Sequence, residues 1–418
     1  MKKFILILFT IMVLFTFTKT ALAVVDPTDV KNNVFGIHIH DESDLEDAAK
    51  LVNSKGGDWG YVTIVIRKDD RNTQKWQEIF DKMRRLHLIP ILRIATRQQN
   101  GGWEKPSFDE IDGWVSFLNN LNWVIKNRYI IIGNEPNHAK EWGNELNPEE
   151  YANYLHQFSS KLKETSGEFY ILPAGLDASA PSDKLHIDEA QFLQRMLNEN
   201  PSTFEHIDGW NSHSYPNPNF SASATKTGRG SIRTYEWELN LLNNLGVEKI
   251  LPIFITETGW VHNKNGRNGN LSPSVISERF ITAFGDVWLN DDRIIAITPF
   301  ILNYQEPPFD IFSWKDKEGK YYEFYDRIQN ISKIKGAPEQ NHSLNITAIL
   351  FPKVIKKGDL LYSVAYAKNT GQSIWKQGDI VTIEDGFEAV KIISIYPKIV
   401  EPQSSGLIYV SGNINASK

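Results

Sequence analysis

Between residues 34 and 302 the chain alternates short apolar runs with longer amphipathic stretches. The runs fall at 34–40, 61–67, 89–96, 129–135, 169–177, 207–215, 251–257 and 294–302. Most are rich in Ile, Val, Leu and Phe, the pattern of a strand covered on both faces by helices. The stretches between them carry helix-start signals. Ser107-Phe108-Asp109-Glu110 has the form of a capping box, and Asn147-Pro148 and Ser272-Pro273 place a cap residue before a proline at the first turn. Eight strand–helix units in about 300 residues predict a (β/α)8 barrel with modest insertions. An open doubly wound sheet shares the alternation, but no Gly-x-Gly-x-x-Gly turn follows the first strand.

After Lys335-Gly336-Ala337-Pro338 the period shortens. Runs at 346–351, 360–368, 380–384, 390–396 and 407–410 are separated by turn residues such as Asn369-Thr370-Gly371. They predict a small β-sandwich over 338–418, and Asn369-Thr370-Gly371 followed by Trp375 resembles Ig-like modules appended to secreted bacterial enzymes. At the other end, Lys2-Lys3, an apolar stretch over 4–17 and Ala21-Leu22-Ala23 have the form of a cleaved export leader over 1–23. The expected organisation is leader, barrel at 24–337 and accessory module at 338–418. The expected location is outside the cytoplasm, secreted or periplasmic.

Composition narrows the chemistry. Cysteine is absent, which excludes a disulfide scaffold, a thiolate metal site and a cysteine nucleophile. Loss of Lys2, Lys3 and Lys19 with the leader takes the formal charge from −6 to −9, and no dense Lys/Arg run exists. Nucleic acid and, once the leader is gone, membranes are therefore poor partners, whereas a neutral oligo- or polysaccharide suits an exported chain, which is expected to be a monomer. His38 and His40 with Asp41 hint at a metal, but no third ligand has suitable spacing, so neither metal nor cofactor is expected.

The runs at 129–135 and 251–257 each end on a glutamate followed by turn residues: Gly-Asn-Glu-Pro-Asn at 133–137 and Thr-Glu-Thr-Gly-Trp at 256–260. By strand count Glu135 closes the fourth strand and Glu257 the seventh, so both face the C-terminal mouth of the barrel, where active sites of this architecture collect. A barrel about 15 Å across, with side chains reaching in by roughly 4–5 Å, brings the two carboxylates to about 5 Å. Glycosidases that retain anomeric configuration have about 5–5.5 Å between their carboxyl groups and inverting ones about 6.5–9.5 Å.

Asn-Glu-Pro after strand 4 and Thr-Glu-Thr-Gly-Trp after strand 7 resemble the clan A glycoside hydrolases, a superfamily of retaining cellulases, β-glucanases and β-xylosidases. The resemblance spans the barrel. It implies that Glu135 is the general acid/base, Glu257 the nucleophile, and Asn134 a partner of the substrate 2-hydroxyl. His213-Ser214-Tyr215 is similar to the family's His-x-Tyr, with Tyr215 holding the nucleophile. Arg67, at the end of strand 2, falls where such families place an arginine against it. His38 and His40 are candidates to line the pocket. Trp260, Trp314, Trp103 and Trp142, in or near strand exits, are candidate sugar platforms. The clan's tryptophan near the end of strand 8 is replaced here by Asn303-Tyr304. The reading is a secreted retaining glycoside hydrolase of β-linked glycans, preferably endo-acting. The rivals are an exo-acting β-glycosidase, a non-catalytic glycan-binding surface protein on the same barrel, and a scaffold or adhesin led by the β-module.

Overall fold

The computed structural model describes residues 24–262, 271–350, 360–381 and 390–413. The expected leader, Phe351 and the 382–384 end of one expected strand lie outside them. Eight parallel strands alternate with eight helices: β1 (Gly36–Ile39), α1 (Leu45–Val52), β2 (Gly60–Arg67), α2 (Thr73–Arg85), β3 (Leu88–Ala95), α3 (Ile111–Asn119), β4 (Arg128–Ile132), α4 (Pro148–Thr165), β5 (Phe169–Pro173), α5 (Glu189–Glu199), β6 (Trp210–His213), α6 (Thr234–Asn244), β7 (Ile253–Glu257), α7 (Pro273–Thr282), β8 (Ile294–Ile297) and α8 (Glu323–Gln329). Strands β1 to β5 pair in order, and β6 to β8 form a second parallel ribbon.

Two seams close the ring. Between β5 and β6, Asp208 N donates to Ile171 O at 2.9 Å and Asn211 Nδ2 to Pro173 O at 3.1 Å. Between β8 and β1, Ile297 N donates to Val34 O at 2.9 Å and His38 N to Pro299 O at 3.1 Å. The result is a (β/α)8 barrel. Among the described residues no helix is long and apolar enough to cross a membrane.

Several strands are shorter than their apolar runs. The fourth stops at Ile132 rather than Glu135, because Gly133 at φ 91° breaks the extended backbone. The runs at 34–40, 169–177, 207–215 and 294–302 likewise leave the ladder before their last residues. Asn147 and Ser272 cap their helices as expected, accepting from Glu150 N and Val275 N at 3.0 and 3.3 Å. The capping box does not form. Ser107 leads into a 3₁₀ turn (Phe108–Glu110) with no side-chain cap, its carbonyl instead taking Glu110 N at 3.2 Å, and α3 starts only at Ile111.

The barrel interior is layered. At the floor Tyr129 meets Tyr61, Tyr170 and Phe254, with ring centroids 6.1, 4.9 and 5.3 Å away. Above this apolar plug a small polar layer links Thr63 to Thr298 at 2.8 Å and Thr256 to Asn211 at 2.5 Å. Each buried hydroxyl there has a partner, as burial requires. The charged side chains lie above that layer, at the mouth.

Beyond the barrel come β9 (Leu344–Leu350), β10 (Leu360–Asn369), β11 (Trp375–Lys376), β12 (Ile380–Val381), β13 (Val390–Tyr396), β14 (Ile399–Val400) and β15 (Ser405–Asn413). They form an antiparallel sheet in the order β9-β10-β15-β13-β12 and a separate β11/β14 pair. Ala367, Trp375, Ile392, Ile395, Val400 and Ile408 are buried together in this part. It meets the loop ahead of β4 and the end of α2, at the floor: Gln372 Nε2 donates to Ile125 O at 2.9 Å, Asn122 Nδ2 to Gly371 O at 3.0 Å, and Arg85 pairs with Glu401 at 2.9 Å.

Candidate active site

The exit of β4 turns twice. Gly133 lies at φ 91° and Glu135 at φ 33°, a region that a residue with a Cβ rarely occupies. The turn is held by Glu135 N donating to Gly175 O at 3.0 Å. Asn134 is pinned from both sides, accepting from Arg93 Nη1 at 2.7 Å and donating to Glu141 Oε2 at 3.1 Å. Burial and the neighbouring Glu135 push the Glu141 carboxyl above its ordinary range.

Glu257 is the last residue of β7 and is buried. Its Oε1 accepts from Arg93 Nη1, and its Oε2 from Tyr215 OH at 3.0 Å. His213 Nδ1 stands 3.8 Å from Oε2, and His38 Nδ1 3.9 Å from Oε1. Burial alone would raise this carboxyl, but His213, Arg93 and His38 outweigh it and hold Glu257 at about 2. Burial, with Glu257 next to it, keeps the Tyr215 hydroxyl well above its usual value, so it remains a donor.

His213 joins the two carboxylates. Its Nδ1 is 2.9 Å from Glu135 Oε1, and although burial works the other way, Glu257 and Glu135 raise its affinity for a proton. Gly175 makes room for the ring, since a Cβ there would lie 2.2 Å from His213 Cδ2. His38 behaves oppositely: burial and Arg93 lower it to about 3, so it is neutral at ordinary pH. One carboxylate oxygen from each glutamate and a His213 ring nitrogen all lie within 4.8 Å of one another. That trio has the donor types of a metal site. Arg93 and Tyr215 already donate to the two oxygens of Glu257, however, so this buried carboxylate has its counter-charge and hydrogen bonds from the protein itself.

Solved structures that this chain resembles are glycoside hydrolases. They include the α-L-arabinofuranosidase from Thermotoga maritima, with 12% identity over 93% of this chain and 99% of that one and a TM-score of 0.48. The endo-β-1,4-glucanase from Xanthomonas axonopodis pv. citri gives 14% identity over 71% and 98%, with a TM-score of 0.45. The β-mannanase from Thermomonospora fusca gives 13% over 73% and 93%, also at 0.45. No protein-family model matches the chain, and no curated protein matches its sequence.

The structure thus brings Glu135, Glu257, Asn134, His213, Tyr215 and His38 into one cluster. Arg67 does not join them: it is the exposed end of β2 and pairs with Asp69 at 3.1 Å. The arginine on Glu257 is Arg93, from β3. A charged residue inside the run Ile-Pro-Ile-Leu-Arg-Ile-Ala at 89–95 was the available signal, because a buried cation needs a counter-charge.

Trp260 and Trp314 are not sugar platforms either. Trp260 is buried, donates Nε1 to Ala222 O at 2.8 Å and packs edge-on against Phe280. Trp314 is buried between Phe280 and Phe324, and Trp142 is buried with its Nε1 on Glu150. Trp103 is half-buried in a small hairpin (Gln98–Gln99 with Gly102–Trp103), and His40 is exposed beside Tyr304. The ring that does flank the site is Phe300, at the β8 exit, edge-on to His38 at 5.0 Å and backed by Phe312 at 5.8 Å.

Proposed function

We propose that this protein is a retaining glycoside hydrolase in which Glu257 is the nucleophile and Glu135 the general acid/base. The observation that carries the reading is a pair of carboxylates within 4.8 Å whose surroundings differ. Glu257 is buried and held ionised by Arg93 and Tyr215, which suits a nucleophile. Glu135 is more open and within 2.9 Å of His213 Nδ1, a setting that lets a leaving group or a water reach it, which suits a group that passes a proton back and forth.

In the first step a Glu257 oxygen attacks the anomeric carbon while Glu135 gives a proton to the departing glycosidic oxygen, leaving a glycosyl ester on Glu257. In the second, Glu135 takes a proton from water, whose oxygen attacks the same carbon and releases Glu257. Formation of the ester removes the charge of Glu257, which strengthens Glu135 as an acid and readies it to act as base. Asn134, fixed between Arg93 and Glu141, is positioned for the hydroxyl beside the anomeric carbon.

The resemblance of both strand-end motifs, and similar folds that include a β-1,4-glucanase and a β-mannanase, favour an oligo- or polysaccharide with β-links. We read the enzyme as endo-acting, monomeric and exported, with 338–418 an accessory β-sandwich. Intact mass of the exported chain should place its first residue at Val24.

Aryl β-glycosides test the mechanism directly. Glu257→Ala should abolish turnover, and azide in the vacated space should yield a product of inverted configuration. Glu135→Ala should still form the ester from a good phenolate leaving group, and azide should then give a product of retained configuration. Exchange of these two outcomes would exchange the roles, and wild-type activity in either variant would remove that residue from the mechanism.

A further inference from the structure

On the nucleophile side of the mouth the aromatic side chains form a connected series leading outward. His38, whose Nδ1 is 3.9 Å from Glu257 Oε1, meets Phe300 with centroids 5.0 Å apart. Phe300 meets Phe309 at 5.5 Å, Phe309 meets Tyr304 at 5.9 Å, and Tyr304 meets His40 at 4.9 Å. Every contact is edge-on, with planes at 86°, 82°, 70° and 87°. Each edge-to-face contact covers one face of one ring of the pair, so exposure decides which rings can still meet a ligand.

Exposure rises from His38, 1% exposed, through half-buried Phe300 to Phe309, 40% exposed; beyond it Tyr304 is half-buried and His40 exposed. The buried Nδ1 of His38 has no hydrogen-bond partner among the described residues. The Tyr304 hydroxyl makes no hydrogen bond with any described residue, and its chain neighbours are tied down: Gln305 Nε2 donates to Asn303 Oδ1 at 2.9 Å, and Asn303 Nδ2 to Asp44 Oδ1 at 3.2 Å. One exposed phenylalanine on a protein surface is ordinary. A series of rings joined to a carboxylate pair by measured contacts is not.

The barrel fixes which part of a substrate this shelf would meet. Strands β8 and β1 lie across the ring from β4, whose exit carries Glu135. A proton donor stands on the side of the leaving group, so the sugar that becomes esterified lies over Glu257, and its chain continues away from Glu135. That direction is the one the rings mark. We infer, resting on the glycosidase reading above, that Tyr304 and Phe309 form a stacking platform for a second sugar unit on the glycone side, so that the site selects chains over single sugars.

The test compares 4-nitrophenyl β-glycosides carrying one or two units of the same sugar, using the full-length protein and its Tyr304→Ala, Tyr304→Phe and Phe309→Ala variants. The readout is the ratio of kcat/KM on the two-unit substrate to that on the one-unit substrate. In the wild type this ratio should exceed one. Each alanine variant should lower it about tenfold, the size of one lost ring–sugar contact, while Tyr304→Phe keeps most of it. A ratio unchanged in both alanine variants, or equal losses on both substrates, overturns the platform and leaves the glycosidase reading standing. Hydrolysis of neither substrate by the wild type overturns that reading, and the platform with it.

Discussion

Replacing Arg93 by methionine removes the one guanidinium that meets both Glu257 and Asn134. The expected loss in kcat/KM is about 10²–10³-fold, typical of a preorganised donor at a reacting carboxylate. The pH profile should move as well. A carboxyl depressed to about 2 is ionised above that pH and loses its charge only as pH falls through it, so the wild-type acid limb should lie well below the ordinary carboxylate range. Without Arg93 burial is less opposed, Glu257 rises, and the acid limb should shift to higher pH. Profiles of kcat/KM between pH 3 and 7 check this, and an unmoved limb would mean that another group sets it. At this scale the glutamates were legible because each closes a buried run and precedes a turn. Arg93 was passed over because strand 3 carried no motif. The tryptophans misled because an indole beside a strand exit can face the cleft or the helices. Trp260 faces the helices because Ala222 O satisfies its N–H there, which removes the cost of burying it.

Among the elements, α5, α6 and β6 enclose a second carboxyl pair that catalysis does not use. Glu189 and Glu238 are both fully buried, and Trp210 Nε1 donates to Glu238 Oε2 at 2.8 Å. Neither Glu189 oxygen, nor Glu238 Oε1, has a donor among the described residues, so the two carboxyls have each other with which to share a proton. Burial and the mutual charge push Glu189 well above the carboxylate range, and burial pushes Glu238 up to about 7. The unfolded chain releases these protons near pH 4.3, so between roughly that pH and 7 the native state binds more protons than the unfolded one. Stability is therefore fully present at low pH and falls as pH rises through about 7, with a slope of up to ~1.4 kcal/mol per pH unit for each proton. Urea unfolding from pH 5 to 9 should show the decline, and Glu238→Gln should flatten it. A pH-independent midpoint in the wild type would remove the shared proton. The strand–helix alternation implies a helix on either side of the sixth strand, but cannot show that residues on the two meet: that pairing depends on how α5 and α6 pack across β6.

For the whole molecule, barrel order was legible because buried parallel strands have a strong signature, whereas the placement of 338–418 against the barrel had none. The contacts are scattered polar ones, such as Gln372 on the Ile125 carbonyl and the Arg85–Glu401 pair, which leave no periodic trace. A chain ending at residue 341 keeps the bond from Gln340 Nε2 to Val124 O and should stay folded and active on aryl glycosides, with a lower Tm. Insolubility of that chain would show that the floor needs the sheet.

The floor also determines how the molecule would carry mechanical load. The barrel chain enters and leaves at one place, where Ala337 N meets Lys31 O at 2.8 Å and Gly336 N meets Asp58 O at 3.0 Å. If the C-terminal sheet were tethered to a solid surface, tension would pass through these bonds and the Arg85–Glu401 pair. The strand exits that hold Glu135 and Glu257 lie at the opposite end of the barrel, off that load path, so the catalytic spacing would be kept under pull.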